Sequence, residues 1–372
     1  QLNFCQTTTN ALKAVVLAEG QIAQGDWRMS LGTVPFVVTG KDTRYKFVAN
    51  NSLKTIPTFA NAISIEHGAK LTIDGADRAG LKGSVSGNGS LVLNAGGVRY
   101  DISTDMSKFE GSLHINGSAR LMSNVTDMKK LTLTLGDGAS MRHYQGGSSN
   151  NVVAALHVGA LADAAGYSSF KTKPTFGGSD ESWFVGYNNA DATFSGKLTT
   201  KSVTKMGTGN WTIKGNENTS SITVKEGKLT IFNLSGSATT GTMNIANGAT
   251  LAGSGTTNSL VAQAGSIIIP GLSETAVGTI KTNSNAIIQA GASIIINVSA
   301  TSNGRQRYYR YCATRRTYIH SRREAHPFPW NKTSKRLDYQ VYRWFSLGRF
   351  HSCCRRFYRL YTGYNRYLCC RC

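Results

Sequence analysis

The sequence predicts an all-β protein: a right-handed parallel β-helix, or β-solenoid, that carries a poorly ordered basic tail at its C-terminal end. Three observations lead to this prediction. Apolar residues alternate with polar ones, a unit centred on glycine recurs along the chain, and the composition changes abruptly near residue 301. We therefore divide the chain into a lead-in or fragment of a preceding region (1–33), a β-solenoid (34–300) and an anomalous tail (301–372).

The alternation of apolar and polar residues predicts short strands. Between about residues 34 and 298 it occurs in short runs that Gly, Asn or Asp interrupts. A period of two places every second side chain on one face of a strand, so each run predicts a half-buried strand. The helical period is rare, and residues 10–22 are the best helix candidate. The clearest strand runs are 63–65, 71–73, 91–93, 131–135, 222–224 and 229–231.

A glycine-centred unit recurs along the predicted solenoid. Apolar residues stand five and three positions before the glycine and three positions after it, as in Ile63, Ile65, Gly68 and Leu71. The unit predicts a strand, a tight turn at positive φ and a second strand. One unit cannot bury its apolar face alone, so neighbouring units must stack. A β-sandwich is the alternative. The glycines of these turns are Gly68, Gly138, Gly227, Gly248, Gly265 and Gly291.

Composition separates the solenoid from the tail. The chain has 372 residues, 40 glycines, 6 prolines and only 16% charged residues, without the glycine period of collagen. Its net charge of +21 is uneven, since residues 1–300 carry 24 basic and 18 acidic residues, whereas 301–372 carry 17 and two. Cys5 is the only cysteine before residue 301, which predicts that the solenoid does not depend on disulfides.

The sequence around Trp211 resembles a known repeat family. Residues 204–213 read TKMGTGNWTI and residues 216–229 read NENTSSITVKEGKL. Together they resemble the autotransporter-associated β-strand repeat, over about residues 200–298 and more weakly over 60–200. The resemblance implies a parallel β-helical part of an exported bacterial protein. Such a part is either an autotransporter passenger or a stalk or accessory segment of a secreted, often carbohydrate-active protein.

Charged residues that could catalyse polysaccharide cleavage lie in predicted loops. Asp74, Asp77 and Arg78 follow a strand, and Asp180 and Glu181 stand in a Gly-Gly-Ser-Asp segment. Glycosidases need two carboxylates at a set separation, which the sequence does not provide. We interpret both groups as turn chemistry and expect no catalysis by this chain. The histidines lack metal-ligand spacing, and no phosphate-binding loop is present, so we expect no metal and no cofactor.

Aromatic residues near the middle of the chain have two interpretations. Trp183, Tyr187 and Trp211 are candidates for carbohydrate contact, because an aromatic platform can stack on a sugar ring. Packing in the core or at a turn is the more common use of such side chains.

The predicted function is that of a structural or adhesive stalk segment. The alternative is an accessory β-helix region of a secreted polysaccharide lyase or glycoside hydrolase whose catalytic domain lies upstream of Gln1. We expect a monomer at the bacterial cell surface or outside the cell, joined to the outer membrane only through parts outside this chain. The expected partners are host or environmental glycans or surface proteins, with no nucleic acid. No transmembrane segment and no signal peptide are visible, so we expect a processed or internal fragment.

The tail has three interpretations. Arginines interleaved with aromatic residues are typical of polyanion-binding arms. Six cysteines could form a metal or disulfide knot, although Cys353–Cys354 and Cys369–Cys370 lack the spacing of zinc ligands. The interpretation that we favour is a shifted reading frame, because glycine, lysine and alternation are lost together while arginine, cysteine and tyrosine increase. We expect low order in this stretch and assign it no site.

Overall fold

The structure is a computed structural model. It describes residues 13–24, 34–47, 56–75, 77–122, 124–144, 155–164, 172–215, 219–232, 237–271, 277–298, 307–312, 317–319, 357–362 and 365–370. The chain forms two compact units, Gln1–Ser220 and Ser221–Cys372. All regular elements of the described residues are strands, so the predicted all-β class is confirmed.

The described residues of the first unit form 23 strands. They are β1 (Val15–Leu17), β2 (Gly20–Gln24), β3 (Phe36–Val38), β4 (Thr43–Phe47), β5 (Thr58–Phe59), β6 (Ile63–Ile65), β7 (Lys70–Asp74), β8 (Arg78–Leu81), β9 (Ser84–Gly87), β10 (Ser90–Asn94), β11 (Arg99–Ile102), β12 (Asp105–Phe109), β13 (Ser112–Asn116), β14 (Ser118–Met122), β15 (Asp127–Leu135), β16 (Ser140–Tyr144), β17 (Ala155–Asp163), β18 (Thr175–Phe176), β19 (Ser182–Val185), β20 (Ala192–Phe194), β21 (Lys197–Leu198), β22 (Ser202–Lys205) and β23 (Asn210–Ile213).

These strands stack as the coils of a β-solenoid, which confirms the predicted architecture. Within this unit the long sheet has the order β2-β4-β7-β10-β13-β15-β17-β19-β22. A five-stranded sheet has the order β1-β3-β6-β9-β12, a seven-stranded sheet has the order β21-β18-β16-β14-β11-β8-β5, and β20 pairs with β23. Successive strands of each sheet pair in parallel, because each coil returns to the same sheet in the same direction.

The core of the first unit is built from stacked columns of apolar side chains. Alternation turns every second side chain of a strand inward, and the parallel registers place equivalent residues of successive coils one above another. One column of the long sheet has five leucines, all with no exposed surface: Leu71, Leu91, Leu113, Leu133 and Leu161. Burying a leucine contributes about 2 kcal/mol, so each coil that adds a leucine to this column stabilises the stack.

Outward-facing columns of the long sheet carry polar ladders. Asp74, Asn94 and Asn116 are register partners on three successive strands. The amide nitrogen of Asn94 donates to the Asp74 carboxylate at 2.7 Å, and that of Asn116 donates to the Asn94 amide oxygen at 2.8 Å. These ladders satisfy polar side chains between coils and support the coil-to-coil register.

Parallel stacking begins ahead of the boundary that the sequence suggests at residue 34. Strand β1 pairs with β3, and β2 pairs with β4. The helix candidate at residues 10–22 is wrong for its described part, since residues 15–17 and 20–24 are strands. Gly20, the first residue of β2, has a φ of 80°, which is incompatible with a continuous helix.

The second unit contains β24 to β37. They are β24 (Ser221–Val224), β25 (Lys228–Ile231), β26 (Thr242–Ile245), β27 (Thr250–Gly253), β28 (Gly255–Thr257), β29 (Ser259–Ala262), β30 (Ile267–Pro270), β31 (Ile280–Thr282), β32 (Ala286–Ile288), β33 (Ser293–Val298), β34 (Arg307–Cys312), β35 (Thr317–Ile319), β36 (Phe357–Thr362) and β37 (Asn365–Cys370).

Strand direction changes in this unit where the composition changes. The orders β24-β26-β29-β32 and β25-β27-β30-β33 are parallel. Strands β34 and β35 instead pair antiparallel with β33 and β32, and β36 pairs antiparallel with β37. The parallel order thus ends at β33. The low order predicted for the rest of the tail concerns residues outside the described ones.

The six turn glycines all have positive φ, between 63° and 89°. Gly227, Gly248, Gly265 and Gly291 occupy equivalent corners of successive coils, each between a strand of the β24-containing sheet and one of the β25-containing sheet. Gly68 instead joins the five-stranded sheet to the long sheet, and Gly138 joins the long sheet to the seven-stranded sheet. One local unit therefore serves at three kinds of corner.

Candidate functional site

Two of the three predicted carbohydrate-contact residues lie in the core. Trp183 has no exposed surface, and its ring packs against Phe176 with a centroid distance of 4.3 Å. Trp211 is 2% exposed and donates its indole hydrogen to the carbonyl oxygen of Leu161 at 3.0 Å. Neither ring presents a face to solvent, because each stands at an inward position of its strand. The interpretation of these two residues as a sugar platform is corrected to core packing.

Tyr187 lies at the surface, half-buried, in a cluster with His157, Phe184 and Lys129. Its hydroxyl is 3.0 Å from Nδ1 of His157, whose ring stacks on Phe184 at 4.9 Å. The ammonium of Lys129 lies 5.5 Å from the centroid of the Tyr187 ring. Tyr187 also borders an open depression of about 420 Å³. Burial and, after it, Lys129 lower the pKa of His157, so the ring is neutral at pH 7 and suits a hydrogen bond with the hydroxyl.

Glu181 is almost fully buried and already engaged. Its Oε1 accepts a hydrogen bond from the backbone N–H of His143, and its Oε2 accepts one from the indole of Trp183, both at 2.7 Å. Burial raises the pKa of this carboxyl. Asp180 beside it is exposed. The two adjacent acids therefore have different environments, and the buried one acts as a structural acceptor.

The other acidic candidates also have structural partners. Asp74 accepts from the Asn94 amide and forms an ion pair with Arg44 at 3.3 Å. The backbone carbonyl of Asp77 accepts the N–H of Val98, 2.9 Å away. Arg78, the third member of this candidate group, forms an ion pair with Asp101 on the next strand. These residues therefore form hydrogen bonds and ion pairs with residues of neighbouring coils.

His143 stands at an inward position of β16 opposite Leu121. Among the described residues, neither of its ring nitrogens has a hydrogen-bond partner, and burial lowers its pKa. No three His, Cys, Asp or Glu side chains come together as a metal site in the part of the chain that the structure describes.

The seven-stranded sheet carries a shallow groove that sequence reasoning missed. It has a volume of about 370 Å³ and is lined by Val98, Arg99, Ser118, Ala119, Arg120, Ser140, Met141, Arg142, Thr175 and Gly177. Arg120 and Arg142 are register partners on adjacent strands, and Ser118 pairs with Ser140 in the neighbouring outward column. Arg99 stands on the preceding strand, β11. A signal for part of the groove exists in the sequence, because Arg120 and Arg142 are separated by 22 residues, the coil length between β14 and β16.

A buried lysine was also missed. Lys205 is 1% exposed, and its ammonium donates to the carbonyl oxygens of Met206 and Gly207 at 2.7 and 2.8 Å. The lysine side chain folds back over the turn that follows it. It thereby donates to two buried carbonyl oxygens that would otherwise lack a hydrogen bond. Gly207, whose carbonyl is one of the two acceptors, lies at a φ of 67°, a conformation that favours glycine.

The fold and these sites define a β-solenoid protein with a polar, laddered surface and a basic groove. No family model matches the chain, and no curated protein matches it. The resemblance to the autotransporter-associated repeat therefore stays a prediction. Among the described residues there is no helix long and apolar enough to span a membrane.

Proposed function

We propose that this chain is a structural and adhesive stalk segment of an exported bacterial protein, with no catalysis of its own. The observation that carries the proposal is the uninterrupted inward leucine column from Leu71 to Leu161. Each coil adds the same step, so the nine strands of the long sheet in the first unit extend roughly 40 Å along the stacking direction. A structure of this kind separates what lies at its ends and displays repeated side chains along its sides.

The non-catalytic part of the proposal is supported by the acidic residues. Glu181 uses both carboxylate oxygens for structural hydrogen bonds, and Asp74 is held by Asn94 and Arg44. A carboxylate engaged in this way is a poor candidate for a general acid or base, which must reach the substrate.

Location and catalysis are tested separately. Antibodies against the purified chain should label intact cells of the organism that encodes it, and mild protease treatment should remove the label. A cytoplasmic protein serves as the negative control, and labelling that requires permeabilised cells would contradict the stalk proposal.

Purified protein incubated with acidic polysaccharides should release no unsaturated products. Turnover that Asp180→Asn abolishes would show that the segment is an enzyme.

A further inference from the structure

The groove of the seven-stranded sheet combines a hydroxyl-lined floor with a basic wall. Ser118, Ser140 and Thr175 are register partners on three successive strands, and the Ser140 hydroxyl donates to that of Ser118 at 3.0 Å. Because these side chains are short, a depression remains above them. Arg120 and Arg142 lie in the next outward column and border this depression. The floor and wall both repeat at the strand spacing of about 4.8 Å.

The positive charge of this wall is only partly neutralised within the described residues, since Asp101 is the register partner of Arg120 but forms no ion pair with it. At one end of the groove, the carboxylate of Asp101 forms ion pairs with Arg78 and with Arg99. Neither Arg120 nor Arg142 has a carboxylate within ion-pair distance in that part of the chain. Arg120 instead lies over the ring of Tyr144, 5.1 Å from its centroid.

Two further observations describe the electrostatics. Burial and then repulsion by Arg99 and Arg142 lower the pKa of Arg120, while Asp101 and Tyr144 act in the opposite direction. Arg142 also interacts electrostatically with the buried carboxyl of Glu181, whose oxygens accept hydrogen bonds from His143 and Trp183. The repulsion among the arginines would be relieved by an anion bound between them.

We propose that this groove binds a linear polysaccharide that carries regularly spaced anionic groups, with Arg120 and Arg142 holding successive carboxylates or sulfate esters. Guanidinium forks recognise both groups through paired hydrogen bonds. The serine and threonine floor suits the hydroxyls of the sugar rings. This ligand class rests on the adhesive part of the proposed function.

The observations favour a polysaccharide over a nucleic acid. Single-stranded nucleic acids bind where aromatic rings are free to stack on successive bases. Tyr144, the aromatic side chain beside the groove, already has the guanidinium of Arg120 over its ring, 5.1 Å from the centroid. Of the groove-lining residues, none is aromatic.

Binding of the full chain to immobilised polygalacturonate, dextran sulfate, neutral dextran and single-stranded DNA tests the proposal. We expect binding to one or both anionic polysaccharides and none to dextran. The double variant Arg120→Gln/Arg142→Gln should bind at least about tenfold more weakly, because two charge-assisted contacts are lost. Comparing polygalacturonate, which carries carboxylates, with dextran sulfate, which carries sulfate esters, shows which kind of anion the groove binds.

A matched control removes the same charge elsewhere. Lys41→Gln/Lys46→Gln changes two exposed lysines at β4 and should bind within about twofold of the unaltered chain, since screened surface charges add little. Arg120→Lys/Arg142→Lys keeps the charge but loses the forks, so its affinity should be intermediate. In the unaltered chain, bound polysaccharide should protect Arg120 and Arg142 from an arginine-specific reagent, read by mass spectrometry.

Three results would overturn the proposal: no binding to either anionic polysaccharide, equal loss in the arginine and lysine variants, or DNA binding as tight as polysaccharide binding. The last would assign the groove to nucleic acid. None of them bears on surface labelling of cells, so the stalk proposal is tested independently.

Discussion

The indole N–H of Trp211 donates a hydrogen bond to the backbone carbonyl of Leu161 at 3.0 Å, across 50 residues of chain. Leu161 belongs to the buried leucine column of the long sheet, and Trp211 lies on β23. The bond joins two sheets of the first unit through the interior. Trp211 therefore connects two sheets inside the core and does not form a surface for sugars.

Replacing this tryptophan should affect stability alone. Trp211→Phe should lower the free energy of unfolding by about 2 kcal/mol, because a buried hydrogen bond is lost and a small cavity remains. Urea unfolding measures the change. Tyr187→Phe, which removes a polar atom from a half-buried ring, should cost less than half as much. If Trp211→Phe kept its stability but lost polysaccharide binding, the core assignment would be wrong.

Acid should destabilise the protein through His143. Burial lowers the pKa of His143 below its ordinary 6.5 in the folded state, so its titration costs no stability above about pH 6.5. Below that pH the unfolded chain binds the proton more readily than the folded chain does, and stability falls until the pH has passed the folded-state pKa. His143→Leu should therefore lose less stability between pH 7.5 and 5 than the unaltered chain.

The same variant should be about 1 kcal/mol more stable at neutral pH, because it removes two unpaired buried nitrogens. Unfolding curves at several pH values give both quantities. Met141→Leu, a change at the neighbouring inward position without a titratable group, should keep the original pH dependence. Equal acid sensitivity of His143→Leu and the unaltered chain would refute this role.

Gly253, the last residue of β27, and the turn glycine Gly248 should respond differently to the same substitution. At Gly253, φ is 113° and an added Cβ would overlap the carbonyl oxygen of Ile231, so Gly253→Ala should cost about 3 kcal/mol. At Gly248, φ is 77° and no atom lies within 4 Å of an added Cβ, so Gly248→Ala should cost only about 1 kcal/mol. Thermal unfolding of the two variants should show this order, and equal losses would mean that the close approach at Gly253 is relieved by movement.

Local rules accounted for the strands and turns. Alternation predicted the strand at residues 63–65 and the one at 222–224, because the side-chain period of a strand depends only on its own backbone. Gly68 and Gly248 were recognisable as turns because positive φ is a property of a single residue. The change in strand direction after β33 follows the composition break, which is also visible along the chain.

The candidate site could not be predicted in the same way. Arg120 and Arg142 become neighbours only because the coil between them has 22 residues and returns β16 to β14 in register. Trp183 was ambiguous because a strand position alone does not say which face is inside. Gly68 and Gly248 look alike in sequence but occupy different corners, since the corner depends on how many strands a coil has already formed.

The sequence by itself determined the all-β class and the positive-φ turns, both of which arise from short-range backbone geometry. Only the tertiary structure decided that Trp183 and Trp211 are core residues and that Arg99, Arg120 and Arg142 line one groove. The physical reason is that burial and side-chain proximity in a solenoid depend on the register between coils. That register follows from packing over the whole stack.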